Sequence, residues 1–157
     1  MKFSEEIYRF MYAALQEAEK AREDNEVPVG AVVVSENKII GRGYNQVEKL
    51  KDATAHAEMI ALTAAANHLG EWRLDNCSLF VTLEPCTMCT GALLSSRIKT
   101  LFFAAHDIKL GACGSIYNLA EDEKTNHRVK VYSGIYAEES KRLLKLFFSD
   151  LRNQQPS

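Results

Sequence analysis

The sequence predicts a three-layer α/β/α sandwich around a mixed five-stranded sheet. Three observations predict it: two β-branched runs close enough to pair as a hairpin, a strand–helix–strand succession downstream, and amphipathic helices near both ends that give the sheet cover on either face. At 157 residues, 46% of them hydrophobic, the chain suits one domain, 1–157, with a single core.

Ile7, Phe10, Met11, Ala14, Leu15 and Ala18 recur at helical spacing, which predicts a first helix over roughly 4–24 that serves as scaffold. "VPVGAVVVS" and "KIIGRGYN", parted by the polar "ENK", predict a hairpin over about 29–45. The loop "QVEKLKDAT" leads to a second helix, about 56–68. Next come the strand "SLFVTLE", the helix "TMCTGALLSSR" and the strand "TLFFAA", an order that implies a crossover and a parallel pair. The segment 106–127 reads as a long stretch with only hints of structure around "SIYNLA", of a length that in a small domain is usually functional or disordered. "RVKVYS" predicts a last strand, and Leu144, Phe147, Phe148 and Leu151 mark an amphipathic closing helix. Leu143 and Leu146 lie beside that stripe, giving the helix more apolar residues than one face needs. They belong either to the core or to an RNA or dimer contact.

A formal charge of −2 offers no general attraction to phosphate or to an anionic membrane, so a nucleic-acid partner has to be argued from a site. Glu5, Glu6 and Arg9 interrupt the apolar pattern of the N-terminus, which therefore does not read as a signal peptide, and no membrane-spanning run follows. The expected compartment is the cytoplasm. There, Cys77, Cys86, Cys89 and Cys113 read as metal ligands or buried thiols rather than disulfides.

Two short motifs carry the chemistry: "HAE" at 56–58 and "PCTMC" at 85–89, with Cys86 standing 30 positions after His56. H-x-E alone says little and C-x-x-C alone leaves zinc or a redox pair as the main readings, but both motifs fall where helices are predicted to begin. Helix N-termini carry unpaired N–H groups and a positive dipole end, which favour thiolates over thiols. One imidazole and two thiolates, His56, Cys86 and Cys89, make three protein ligands for Zn²⁺ and leave a tetrahedral ion one open position, the arrangement of a catalytic site. Zinc there lowers the pKa of bound water toward about 7, and Glu58, on the same helical turn as His56, is placed to move its proton. A structural zinc site would need a fourth ligand from His68, His106, His127, Cys77 or Cys113. None of these stands in a second close-spaced motif, and Cys77 and Cys113 read as buried small hydrophobes.

The pattern H-x-E…P-C-x-x-C is the signature of zinc nucleobase deaminases. Together with "EVPVGAVVV", "GRGYN", "HAEMIAL", "TLEPCTMCTGAL", "DIKLGACGS" and "NHRVKV", it makes the chain resemble bacterial tRNA-specific adenosine deaminases from about residue 5 to 152. The resemblance implies the cytidine-deaminase fold, a homodimer, and conversion of the wobble adenosine of a tRNA anticodon to inosine by zinc-bound hydroxide. His56, Cys86 and Cys89 are then the zinc ligands and Glu58 the proton shuttle. Asn45 would hydrogen-bond the flipped base, the Ala57 backbone would hold it from another side, and Val29 would form pocket wall. Asp107, which from the residues alone reads as a loop aspartate capping its own backbone, falls at the family position near the ribose 2′-OH. Lys109 and Arg152 are candidate phosphate contacts. His106 stands where the family pattern leads one to expect arginine, and the acidic "AEDEK" at 120–124 falls in the loop expected to face RNA. Two rival readings keep the zinc and change the function: a deaminase of free bases or nucleosides such as guanine, cytosine or cytidine, and a non-enzymatic zinc module.

Overall fold

A hairpin founds the sheet of this computed structural model, which describes residues 2–154. Strands β1 (Gly30–Ser35) and β2 (Lys38–Tyr44) are antiparallel, joined at Glu36 and Asn37, whose positive φ angles of 49° and 63° make the tight turn that matches strand twist. On its other side β1 pairs antiparallel with β3 (Cys77–Leu83). Helix α4 (Thr87–Ser95) then carries the chain across to β4 (Thr100–Ala105), parallel to β3, and β5 (Lys130–Ser133) is parallel to β4. The sheet order is β2-β1-β3-β4-β5, mixed and five-stranded as the sequence predicts.

Alternation along the strands sends side chains to two cores. Ala31, Val33, Leu79, Val81, Leu101 and Phe103 pack under α3 (Ala57–Leu69) and Leu93 of α4. Val32, Val34, Phe80, Phe102 and Ala104 pack under Phe10, Met11 and Ala14 of α1 (Glu5–Glu23). Helix α5 (Ala137–Gln154) shares the α1 side, where the Ser140 hydroxyl donates to the Thr82 carbonyl. Helices therefore cover both faces of the sheet.

Helix α3 sits close to the sheet because β2 offers it no side chain at two places. A Cβ on Gly41 would lie 2.4 Å from the Ala61 carbonyl oxygen, and one on Gly43 would lie 2.4 Å from that of Ala57. This contact fixes the height at which the first residues of α3 reach the end of the sheet.

The elements depart from expectation in three places. "QVEKLKDAT" contains a single helical turn, α2 (Val47–Leu50). The segment 106–127 is an ordered loop, held by bonds such as Ala112 N–H to Pro85 O at 2.8 Å and Leu119 N–H to Ala112 O at 2.8 Å, with Ala112, Cys113 and Ala120 buried. The apolar stripe of α5 is not buried: Ser140 is the helix's buried residue, and Leu146, Phe148 and Leu151 are exposed.

Candidate active site

Two helices begin at the same place. His56 is the N-cap of α3 and Cys86 the N-cap of α4, and neither side chain makes the usual capping bond to its helix. A position that normally holds Ser, Thr, Asp or Asn, at a benefit of about 1 kcal/mol, is given instead to a side chain that points elsewhere. Pro85 ends the strand segment and Cys89 lies one turn into α4, so both sulfurs face the imidazole.

The three donors converge. His56 Nδ1 is 3.7 Å from Cys86 Sγ and 3.5 Å from Cys89 Sγ. Tetrahedral zinc with Zn–N near 2.0–2.1 Å and Zn–S near 2.3 Å requires an N···S separation of about 3.6 Å, so the donor set fits that ion in type and in spacing. Among the described residues no fourth His, Cys, Asp or Glu joins the group. The spare donors lie elsewhere: His106 Nδ1 is with Glu84, His127 Nε2 with the Ile98 carbonyl at 2.7 Å and Cys113 Sγ with Thr90 Oγ1 at 3.2 Å, while Cys77 is buried in the core and His68 is exposed in the last turn of α3.

The electrostatics match. The bond from the Cys89 thiol, reinforced by His56, pulls Cys86 down to about 3 against the opposing effect of burial. Cys89, which shares its proton with Cys86 and is more deeply enclosed, is pushed up. His56, Cys86 and Cys89 would hold a divalent cation, whose positive charge would favour both thiols as thiolates. Beside them Glu58 is 4% exposed, and burial pushes its carboxyl up to about 7, with the charge of His56 pulling the other way.

His56, Glu58 and Cys86 floor a cleft of about 770 Å³, with Cys89 buried behind them. Val29, Asn45, His56, Ala57, Glu58 and Cys86 line it on the sheet side, and Asp107 and Lys109 on the loop side. Asn45 is 8% exposed, its N–H bonded to the Val29 carbonyl at 3.1 Å. Asp107 does cap its own loop, accepting from the N–H groups of Lys109 and Leu110 at 3.0 and 3.1 Å, and it also lines the cleft. Arg152 stands exposed in the last turn of α5 and does not line the cleft.

Sequence reasoning missed several contributors. Leu144, Phe147, Phe148 and Leu151, assigned to an amphipathic helix, form a wall of the cleft, and the exposed Ile108 and Leu110 join them. Glu26, buried behind the first strand, accepts from the N–H groups of Glu48 and Lys49 at 3.0 and 2.7 Å and so holds α2 at the rim. Glu84, at the end of "SLFVTLE", is enclosed beneath the 106–115 loop. The available signal was a carboxylate closing an otherwise apolar run, which a strand end facing water would also produce.

The model of the cytidine and deoxycytidylate deaminase zinc-binding region matches residues 4–105, so this chain belongs to the family of zinc deaminases. It is 44% identical over 146 residues to the tRNA-specific adenosine deaminase of Bacillus subtilis (strain 168), covering 93% of this chain and 91% of that one. It is 48% identical over 144 residues to that of Aquifex aeolicus (strain VF5), covering 92% and 95%. A solved structure from work on A-to-I editing by tRNA:A34 deaminases at the wobble position of transfer RNA superposes with a TM-score of 0.84 and 43% identity, covering 87% of this chain and 99% of that one. Within the zinc deaminases the chain falls among the tRNA-specific adenosine deaminases.

Proposed function

We infer that this chain converts adenosine to inosine at the wobble position of a tRNA anticodon, acting in the cytoplasm as a single-domain subunit of a homodimer. One observation carries the reading: a three-donor zinc site opens through His56 and Cys86, beside the buried carboxyl of Glu58, onto a cleft large enough for a nucleotide, in a chain similar over more than nine-tenths of its length to enzymes named for this activity.

His56, Cys86 and Cys89 would hold a zinc ion, which when bound would make a water reactive at neutral pH. Glu58, whose burial keeps it close to protonation at pH 7, carries one proton from the attacking water to a ring nitrogen and a second from the new C6 hydroxyl to the amine at C6. The C6–O bond forms, the C6–N bond breaks, ammonia leaves and C6 is left as a carbonyl. Asn45 and the Ala57 backbone orient the flipped base against Val29. Asp107 reads the ribose 2′-OH, the group that separates RNA from DNA. Lys109 at the rim, and Arg152 beyond it, meet phosphates.

The test sets an arginine anticodon stem-loop with wobble adenosine against free guanine, cytosine and cytidine. Inosine in the stem-loop is the expected product. Turnover of the free compounds alone would replace this reading with that of a free-base or nucleoside deaminase.

A further inference from the structure

The wall of the cleft opposite the sheet is a loop, and no helix or extended strand runs through 106–115 to hold it. It nonetheless carries Asp107, Ile108, Lys109 and Leu110 to the cleft, and Ile108 and Leu110 are 79% and 65% exposed, so their own packing does not fix them. What fixes the loop lies beneath it.

Glu84 follows β3, tied to the end of β4 by its N–H to the Ala105 carbonyl at 2.8 Å, and its side chain is closed off from solvent. Its Oε1 accepts from the Asp107 N–H at 3.1 Å and from the Ser115 hydroxyl, and lies 3.2 Å from His106 Nδ1. Its Oε2 accepts from the N–H groups of Cys113 and Ser115, each at 3.0 Å. Gly111 crosses directly over the carboxylate, and a Cβ there would lie 2.3 Å from Glu84 Cδ. Order then passes outward, because Asp107, held at its backbone by Glu84, accepts from Lys109 and Leu110 at the rim.

We propose that Glu84 is the positioning residue of the substrate-facing wall, its buried carboxylate holding the 106–115 loop at a fixed distance from the metal ligands. This rests on the reading of the cleft as the substrate site. The backbone and hydroxyl groups facing Glu84 are donors on both sides, so the site needs two acceptor oxygens. Glutamine would turn an NH₂ toward one set of donors and leave them unpaired.

Glu84→Gln and Gly111→Ala break the contact from its two sides, and both are examined in zinc-loaded protein. Hydrogen exchange at the amides of 107, 113 and 115 is expected to quicken by about 10-fold or more, with β1 and β3 unchanged. KM for the anticodon stem-loop should rise about 10-fold, while kcat stays within about 3-fold and the zinc content stays at the wild-type value. Gly111→Ala keeps the carboxylate group but forces it and the loop apart, so it carries the same expectations should Glu84→Gln fail to fold. Wild-type exchange in the variant protein, or a fall in kcat at unchanged KM, would overturn the proposal. A wild-type protein inactive on the stem-loop would count against the proposed function instead, and the exchange measurement, which needs no substrate, would still decide whether Glu84 holds the wall.

Discussion

Two buried carboxylates within reach of the same cleft are used in opposite ways. Glu58 is enclosed without enough hydrogen bonds to offset its burial and is pushed up to about 7, which suits a group that must both take and give a proton. Its replacement by alanine should leave zinc content unchanged and lower turnover by about 10²- to 10⁴-fold. Cys86→Ala or His56→Ala should lose both metal and turnover, and metal analysis beside inosine yield separates the two outcomes. Full turnover in the Glu58→Ala protein would rule out the proton-shuttle role. Glu84 is also buried, but hydrogen bonds from the Ser115 hydroxyl and from the N–H groups of Asp107, Cys113 and Ser115 outweigh the opposing effect of burial and hold its carboxyl below the ordinary 4.5. A carboxyl depressed on folding contributes stability above its unfolded value, and that contribution is lost as pH falls through the folded value. Urea unfolding should therefore find Glu84→Gln most destabilised relative to wild type at pH 7, with the gap narrowing below about pH 4.

At the scale of elements, the site depends on where α3 and α4 begin, and α3 is set by its contact with β2. Gly43→Ala would drive a methyl group into the Ala57 carbonyl, between His56 and Glu58 in sequence. The expected cost is about 1–3 kcal/mol of stability, with turnover reduced because both flanking side chains move. A thermal melt and a kcat measurement check this, and an unchanged melting temperature would show that the contact is not tight. The strands were legible because β-branched runs alternate and are bounded by polar turns, and His56, Cys86 and Cys89 were legible because H-x-E and P-C-x-x-C are each short motifs that combine into a known signature. The four-residue α2 was too short to leave a period. Periodicity in α5 revealed an apolar face but not what it meets, and that face turned out to line the cleft. Glu84 bonds to groups 22 to 31 positions away, so no local pattern could announce it.

At the scale of the whole molecule, the sandwich brings two helix N-termini to one end of the sheet and leaves the rest of the cleft to loops and to α5. The metal cradle is thereby anchored on a packed core, while the surfaces that distinguish one nucleic-acid or base substrate from another are free to vary. No helix among the described residues is long and apolar enough to cross a membrane. With a formal net charge of −2, bulk charge gives the chain no general attraction for phosphate, so under the proposed function recognition falls to the cleft and its rim. Metal dependence follows from the same architecture, since among the described residues His56, Cys86 and Cys89 are the group whose donor atoms converge closely enough to hold an ion.

The most direct measurement follows inosine at the wobble position of an anticodon stem-loop, using one preparation of protein before zinc is chelated, after chelation, and after zinc is restored. The account predicts that inosine forms, ceases and returns in step with the metal. Inosine formed at the same rate by the zinc-free protein would contradict it.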